Sequence, residues 1–208
     1  MRESLASFCA RTGARELLEQ WDPQRNPPLT PAGISYGSAR KVWWRCGQGH
    51  RWQASVYSRT GSGAGCPVCA GKAAQAGEND LATLFPELAR QWHPTKNGAL
   101  TPAQVLPGSH RMVWWSCGKG HVWQAQIKSR AAGCGCPVCA NREILPREND
   151  LATQFPQLAA QWHPTRNRGI SPNSVASGSG RRVWWLCEKG HAWQASVFSI
   201  TSGGTGCP

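Results

Sequence analysis

Apolar residues alternate with other residues over short stretches that recur three times, at 42–46, 113–117 and 183–187. In the first stretch Val42, Trp44 and Cys46 occupy alternate positions, which is the period of a half-buried β-strand. A second apolar run begins at Trp52, after a turn with two glycines. Two such runs joined by a glycine-containing turn predict a β-hairpin over 42–57. We expect the same hairpin at both later positions.

Helical spacing appears upstream of the hairpins. In residues 80–92 the apolar positions fall on one helical face, at Leu81, Leu84, Phe85, Leu88 and Trp92. Asn79 or Asp80 supplies the N-cap, and Pro86 inside the span predicts a late start or a kink. A Pro-rich connector over 97–108 then leads to the next hairpin.

Helix, connector and hairpin form a unit that repeats with steps of 71 and 70 residues, measured from Cys46 to Cys117 to Cys187. Residues 5–8 read as a diverged first copy of the Leu-Ala-Thr segment at 81–83. We therefore divide the chain into repeat 1 (1–77), repeat 2 (78–147) and repeat 3 (148–208). Self-similarity at a fixed period indicates a tandem array of small units.

Composition favours small units that need stabilisation beyond their hydrophobic core. The chain has four Phe and two Met but 12 Trp and ten Cys, and a unit this short buries too little apolar surface to be stable alone. The N-terminus lacks the long apolar run of a signal peptide, and no stretch is long enough to span a membrane. We therefore expect a cytoplasmic protein, in which Cys and His at fixed spacing usually bind metal.

Each hairpin turn contains a Cys-x3-His pair. A Cys-Pro-x-Cys pair follows it in repeats 1 and 2, and in repeat 3 only the first Cys and the Pro of that pair are present. Thiolates and an imidazole select zinc, and four protein ligands make a closed tetrahedral site without a position for a reacting water. We expect one structural Zn²⁺ per complete site. The alternative is a set of buried free cysteines and core histidines. The predicted ligands are Cys46, His50, Cys66 and Cys69; Cys117, His121, Cys136 and Cys139; and Cys187, His191 and Cys207.

These ligands define zinc modules over about 40–70, 111–140 and 181–208. In the third module the register places a fourth ligand beyond Pro208, so we expect that module to be truncated here. Pro67 and Pro137, each directly after a ligand, predict the first turn of a short helix. Cys9 is expected to be a helix core residue. Cys134 lies two residues before Cys136 and competes with it as a ligand, although the register favours Cys136.

The segment Trp-Trp-x-Cys-x2-Gly-His-x-Trp, the later Gly-Cys-Pro-x-Cys and the upstream Trp-His-Pro-Thr-(Lys/Arg)-Asn resemble the bacterial treble-clef or "probable zinc-ribbon" repeat family. The resemblance covers residues 17–208. It implies a small metal-stabilised α+β fold of three tandem treble-clef-like modules, each a β-hairpin plus a short helix, joined by helical, Pro-rich linkers. It implies zinc binding by the ligands above, and members are sometimes fused to nuclease-like domains. Repeat 3 departs from the pattern with Ile200, where the other repeats have Arg59 and Arg130.

Positive charge is concentrated in the zinc modules. The formal net charge is +12, and one net negative charge on each of two complete sites lowers it to about +10. Residues 40–69 carry five Lys and Arg and no Asp or Glu, which is typical of a nucleic-acid-binding face. For each cation taken singly, the alternative is a solvated, solubilising surface. The candidate contacts to DNA or RNA phosphates are Arg40, Lys41, Arg59, Arg111, Lys128, Arg130, Arg181 and Arg182.

The two adjacent Trp residues of each hairpin point to opposite faces because side chains alternate along a strand. Trp44 shares its face with Cys46 and is expected in the core. Trp43, with Trp114 and Trp184 at the equivalent positions, lies on the other face and is a candidate platform for stacking a base. The alternative is that both Trp residues only cover the small core.

Nucleic-acid binding is the leading hypothesis. The alternatives are a protein-interaction scaffold, or the accessory targeting part of a nuclease or defence protein whose catalytic domain lies outside this sequence. We expect no enzymatic activity, no small-molecule substrate and no membrane partner. His93 and His163 suggest a catalytic base, but Asp22 stands at their position in repeat 1, which favours local hydrogen bonding. Asn26, Asn97 and Asn167 are expected to be turn or capping residues.

Overall fold

The computed structural model describes residues 2–208 and resolves them into two compact units. The first unit holds the residues up to Arg90 together with Gly98–Ser109, and the second holds Gln91–Asn97 with His110–Pro208. Each unit is built from the same small parts, which are two-stranded antiparallel hairpins and short helices. The expectation of small α+β modules is therefore confirmed.

In the first unit, helices α1 and α2 precede the hairpin, and further helical turns follow it. The bounds are α1 Leu5–Thr12, α2 Arg15–Glu19, β1 Lys41–Arg45, β2 Arg51–Ser55, α3 Val56–Thr60, α4 Leu81–Leu84, α5 Pro86–Ala89 and a 3-10 turn at Pro102–Gln104. Strands β1 and β2 pair with Trp44 opposite Trp52. Trp21 bridges to Trp44 on the outer edge of β1.

The second unit contains the hairpins of repeats 2 and 3. The bounds are β3 Met112–Ser116, β4 Val122–Gln126, α6 Ile127–Ala131, α7 Leu151–Gln154, α8 Pro156–Ala159, a 3-10 turn at Pro172–Ser174, β5 Arg182–Leu186, β6 Ala192–Ser196 and α9 Val197–Gly203. The register repeats that of the first hairpin, with Trp115 opposite Trp123 and Trp185 opposite Trp193.

The second strand of each hairpin is shorter than the sequence predicts. Strand β2 ends at Ser55, whose side chain accepts a hydrogen bond from the Ser58 N–H and so caps α3. Val56, at the first position of that helix, is fully buried. The apolar pattern that extends the predicted strand to Tyr57 thus belongs partly to a helix.

The helix predicted over 80–92 consists of two single turns, α4 and α5. They meet at Phe85, whose φ of −136° and ψ of 65° are not helical. Pro86 begins the second turn, where its missing N–H leaves no bond unmade. Of the two candidate caps, Asp80 is the one that accepts the Thr83 N–H, at 3.0 Å. Because the helix breaks, Leu84 is half-exposed and not part of the core.

The core of each hairpin is formed by Trp residues. Trp44, Trp115 and Trp185 are fully buried, and their indole N–H groups donate to the carbonyls of Ala54, Ala125 and Ala195. A second Trp packs edge-to-face on each of them, at ring separations of 5.3–5.8 Å. This geometry suits aromatic quadrupoles and stabilises the pair beyond area burial alone. The prediction of a core Trp from strand parity is confirmed.

Leu5 occupies the same structural position as the first Leu of the two later Leu-Ala-Thr segments. Leu5, Leu81 and Leu151 are all fully buried, and each N–H donates at 2.8 Å to a connector carbonyl, of Ile34, Val105 and Val175 respectively. In residues 2–208 no helix is long and apolar enough to cross a membrane.

Candidate metal centre

The first metal cluster is formed by the hairpin turn and by the loop that follows α3. In the turn, the Gly49 N–H donates to the Cys46 carbonyl at 2.9 Å, and Gly49 has a φ of +89°, a region that favours glycine. The other turn glycine, Gly47, needs no such freedom, and Glu188 occupies its place in repeat 3. The turn directs the side chains of Cys46 and His50 to the same point.

The second ligand pair lies in a hydrogen-bonded turn. The Ala70 N–H donates to the Cys66 carbonyl at 3.0 Å, but the helix predicted from Pro67 does not continue. The chain reverses at Gly71, with a φ of +61°, and Asn141 has a φ of 53° at the equivalent position of repeat 2. This early reversal ends the turn directly after the second ligand pair.

The distances within the first cluster fit a tetrahedral Cys3His zinc site. The Nδ1 of His50 lies 3.4 Å from the sulfur of Cys46, 3.6 Å from that of Cys66 and 3.2 Å from that of Cys69. The sulfurs of Cys46 and Cys69 are 3.8 Å apart. Tetrahedral zinc with normal bond lengths requires sulfur–sulfur separations of about 3.8 Å and nitrogen–sulfur separations of about 3.6 Å.

The second cluster has nearly the same geometry as the first. The Nδ1 of His121 lies 3.4, 3.4 and 3.2 Å from the sulfurs of Cys117, Cys136 and Cys139, and Cys117 is 3.9 Å from Cys139. In the third repeat Cys187, His191 and Cys207 come together, with 3.5 Å between Cys207 and His191 Nδ1. The structure thus brings every sequence-predicted ligand into a cluster that could hold a metal ion.

Each complete cluster has a carboxylate on the far side of its histidine, a residue that the spacing of Cys and His does not reveal. Glu78 Oε2 lies 2.5 Å from His50 Nε2, and Glu148 Oε2 lies 2.5 Å from His121 Nε2. The histidine side chains are about nine-tenths buried, whereas the glutamates are half-exposed. The repeated Glu-Asn-Asp at 78–80 and 148–150 is the signal in the sequence that points to this contact.

The environment of the first cluster shifts the pKa values of its ligands. Burial alone would raise the pKa of Cys46, but backbone N–H groups of Gln48 and His50 and the neighbouring thiols lower it to about 7. The hydrogen bond to Glu78 raises the pKa of His50 to about 9. Burial raises the pKa of Cys69 to about 11, with Cys66 and Cys46 adding to the shift. A metal bound here must therefore displace protons from Cys69 and from His50 Nδ1.

The two cysteines outside the ligand pattern have other positions. Cys9 is fully buried in α1, as expected of a core residue, and burial raises the pKa of its thiol. Cys134 is exposed and lies outside the cluster of Cys117, His121, Cys136 and Cys139. The register that favoured Cys136 over Cys134 agrees with this placement.

Two of the predicted phosphate contacts are buried. Arg59 and Arg130 are 6% and 7% exposed, and each guanidinium lies 5.0–5.4 Å from the ring centres of two Trp residues. Each also donates to the side chain of a Gln and to a loop carbonyl. Burial lowers the pKa of both. Their assignment to a solvent-facing basic surface is corrected, since both are core residues.

The remaining predicted cations are on the surface. Arg40, Lys41, Arg111, Lys128, Arg181 and Arg182 are all exposed. Arg182 also donates to the Gln194 carbonyl across its hairpin, at 3.3 Å.

The outer Trp of each hairpin is half-buried and has a cation over its ring. Arg25 lies 4.5 Å from the ring centre of Trp43, Lys96 lies 4.3 Å from that of Trp114, and Arg166 lies 4.7 Å from that of Trp184. The three cations are exposed. In the sequence, these cations are recognisable as the basic residue directly before the Asn of every repeat. The outer Trp is therefore part of a cation–aromatic surface and not an open ring.

The Asn that follows this cation holds the outer strand of the hairpin as well as a local turn. In each repeat its amide group exchanges two hydrogen bonds of 2.8–2.9 Å with the backbone N–H and C=O of the outer Trp, 17 residues away. The residues are Asn26, Asn97 and Asn167. The expectation of turn residues is confirmed, since the amides of Asn97 and Asn167 also donate to the carbonyls of His93 and His163 within the turn. The carbonyl of Asn26 likewise accepts the Leu29 N–H at 2.8 Å. The contact with the outer strand is an additional role of the amide.

His93 and His163 make local hydrogen bonds, as expected. The Nδ1 of His93 accepts from the N–H groups of Thr95 and Lys96, at 3.3 and 3.2 Å. Asp22 accepts from the Gln24 N–H at 3.0 Å. The residues at this position share one role, which is to order the loop that carries the cation and the Asn.

Comparison with known protein families identifies the same repeated segments. Residues 17–72, 88–142 and 158–208 each match a family described as a probable treble clef zinc finger domain. Each matched segment contains one hairpin and one Cys/His cluster. No curated protein matches the chain.

Proposed function

Because the chain belongs to the probable treble clef zinc finger family, we propose that each complete Cys3His cluster binds one structural Zn²⁺ ion, and that the zinc-stabilised repeats bind nucleic acid. The zinc supplies the cohesion that so small an aromatic core lacks. Four protein ligands fill its coordination sphere, which supports a structural role without catalysis. The protein is proposed to act in the cytoplasm.

The zinc proposal is tested on protein purified without chelators. We expect about one Zn²⁺ per complete cluster by elemental analysis. The variant C46S should lose the metal of the first cluster and the ordered amide signals of residues 40–70. The metal and the signals of residues 111–140 should persist, because the contacts of small repeats are mostly local. C134S removes an exposed cysteine outside the clusters and is the matched control. Protein without zinc, or a C46S variant that binds as much zinc as the wild type, would refute this assignment.

The observation that carries the nucleic-acid proposal is the cationic surface around Trp43. Arg25 covers the ring, and Arg40 and Lys41 line, with Trp43 and Gln53, a groove of about 330 Å³. Residues 40–69 contain no Asp or Glu. Cations beside a partly exposed aromatic ring suit a sugar–phosphate backbone with bases packed alongside.

The experiment is a salt titration of binding to single-stranded and double-stranded DNA, RNA and heparin. We expect affinity for nucleic acid that falls steeply with salt, because binding releases counterions from the phosphates. Heparin tests whether charge alone suffices. Absence of binding to every nucleic acid at low salt would eliminate this function.

Exposed aromatic residues favour protein interaction as a second candidate. Tyr57 and Phe198 occupy equivalent positions in repeats 1 and 3 and are more than half-exposed, as expected of surface anchors for a protein partner. This alternative predicts one stoichiometric protein in pull-downs after nuclease treatment. It includes an accessory role beside a nuclease, and metal-dependent cleavage by this chain alone would contradict our proposal that it is not an enzyme.

A further inference from the structure

The segments 78–80 and 148–150 follow the complete metal clusters and lie outside the residues that match the zinc finger family. Both read Glu-Asn-Asp, and every side chain in them makes directed hydrogen bonds. Glu78 contacts His50 Nε2 at 2.5 Å, on the side of the ring opposite the sulfurs. Glu148 makes the same contact with His121.

The Asn of each segment holds the loop that leaves the second ligand pair. Asn79 Nδ2 donates to the carbonyls of Val68 and Ala73, at 3.3 and 3.1 Å, and its Oδ1 accepts the Gln75 N–H at 2.7 Å. Asn149 makes the matching bonds at 2.9, 2.8 and 2.7 Å. The loop is thereby fixed in the position that presents the glutamate to the histidine.

The Asp of each segment begins the helix of the next repeat. Asp80 accepts from the N–H and hydroxyl of Thr83 and from the Gly77 N–H, and Asp150 does the same with Thr153 and Arg147. Both aspartates are fully buried. Three consecutive residues thus contact the metal histidine, the cluster loop and the next helix.

We propose that Glu-Asn-Asp is a clamp that joins each zinc centre to the following repeat, with the glutamate as a positioning residue for the metal-bound histidine. The inference rests on the zinc occupancy proposed above. An Nε2–H donated to the carboxylate fixes the tautomer whose free Nδ1 faces the three thiolates. By accepting the Nε2–H, the carboxylate also makes the imidazole a stronger ligand.

Loss of such an outer carboxylate typically weakens metal affinity 10–100-fold. We therefore expect E78A in the full chain to bind zinc about 10–100-fold more weakly at the first centre, measured by competition with a chelator. E78Q keeps an acceptor for the Nε2–H and should recover most of this loss. E87A removes a glutamate that is 77% exposed and contacts Arg90, and it is the matched control.

Long-range ¹H–¹⁵N NMR of the zinc-loaded protein reports on the histidine directly. In the wild type, His50 and His121 should both be Nε2–H tautomers with slowly exchanging ring protons. E78A should accelerate exchange at His50 alone, and E148A at His121 alone. N79A, which loosens the loop but retains the carboxylate, should leave the His50 tautomer in place and change exchange less than E78A does.

The outcomes separate this inference from the zinc proposal. Wild-type protein without zinc would refute the proposal itself. Zinc-loaded E78A with unchanged affinity and unchanged ring-proton exchange at His50 would refute the clamp alone. An E78Q variant as weak as E78A would also overturn it, because the carboxylate would then act by charge and not by accepting the Nε2–H.

Discussion

Asp22 is fully buried, and its charge is met by Arg51, whose Nε lies 3.0 Å from the carboxylate. In repeats 2 and 3 the same position is His93 or His163, and the residue corresponding to Arg51 is Val122 or Ala192. His93 Nδ1 accepts backbone N–H groups of the following loop, as the Asp22 carboxylate does. An imidazole without charge needs no cation beside it. The three repeats therefore contain either both charged residues, Asp22 and Arg51, or neither, because a buried charge needs a partner of opposite charge.

This pairing predicts a rescue within repeat 2. H93D should destabilise the protein by about 1–3 kcal/mol, because a partly buried carboxylate would lack its cation. The double variant H93D/V122R should recover most of that loss. Urea unfolding of zinc-loaded protein measures both, with V122R alone as the control. If the double variant is no more stable than H93D, the residues at this position do not share one role.

Arg59 and Arg130 are cations used as core residues, and repeat 3 shows what can replace them. There Ile200 is 6% exposed at the same position. An apolar residue of similar volume can stand in for a buried cation with little net cost, since the loss of its hydrogen bonds is offset by relief from desolvation.

We therefore expect R130I to change the free energy of unfolding by less than about 1.5 kcal/mol. R130A leaves a cavity between Trp115 and Trp123 and should cost about 2–5 kcal/mol. Comparing the free energies of unfolding of R130I and R130A tests this. If R130I loses as much stability as R130A, the hydrogen bonds to Gln91 and Cys134, and not the side-chain volume, stabilise this position.

Among the elements, the single-turn helices depend on their caps because they are too short to be stable on their own. Burial alone would raise the pKa of Asp80, but hydrogen bonds from Thr83 and Gly77 outweigh it and lower the pKa below its usual value. A group with a lowered folded pKa stabilises the folded state above its unfolded pKa, about 3.9 for Asp. That contribution is lost as pH falls through the folded value.

D80N should therefore cost about 1 kcal/mol at pH 7, since Asn caps a helix but does not accept the second N–H bond. The difference between wild type and D80N should shrink as pH falls from about 4, the unfolded pKa of Asp, through the lower folded pKa of Asp80. Hydrogen exchange of the Leu84 and Phe85 amides, which bond to Asp80 and Leu81, follows the helix locally. A stability difference that does not change with pH would contradict this role for the charge.

At the scale of the whole molecule, the three hairpins have the same kind of Trp core, each its own, but different outer surfaces. In repeat 1 the outer face of β1 carries Lys41 and Arg45 around Trp43, whereas in repeat 2 it carries Met112 and Ser116 around Trp114. Repeat 3 is intermediate, with Arg182 and Leu186. The proposed affinity for a polyanion should therefore be unequal among repeats and strongest in the first.

Charge reversal tests this ranking. We expect R40E/K41E to weaken nucleic-acid binding at least tenfold and to lower the slope of log affinity against log salt by about 0.9 for each phosphate that the variant no longer neutralises. R111E in repeat 2 should weaken binding less. R2E/R90E changes the net charge equally at exposed sites outside the hairpins and is the control. Equal losses in R40E/K41E and R2E/R90E would mean that only net charge matters.

Much of the fold and most of the metal site follow from the sequence alone. The repeat period, the hairpins, the core Trp and the cluster ligands are encoded locally, because strand parity and ligand spacing act over a few residues. Cys9 lies in a helix core, and Cys136 rather than Cys134 joins the second cluster, as the local pattern of residues predicts.

The tertiary structure alone decided which polar side chains meet across long separations. It buried Arg59 and Arg130 between Trp rings, placed Arg25 over Trp43, and paired Asn26 with the backbone of Trp43, 17 residues away. It also brought Glu78 to His50, across 28 residues. The local sequence around a basic or acidic residue does not show whether that residue lies on the surface or in the core. Only packing determines whether its charge faces water, an aromatic ring or a metal-binding histidine.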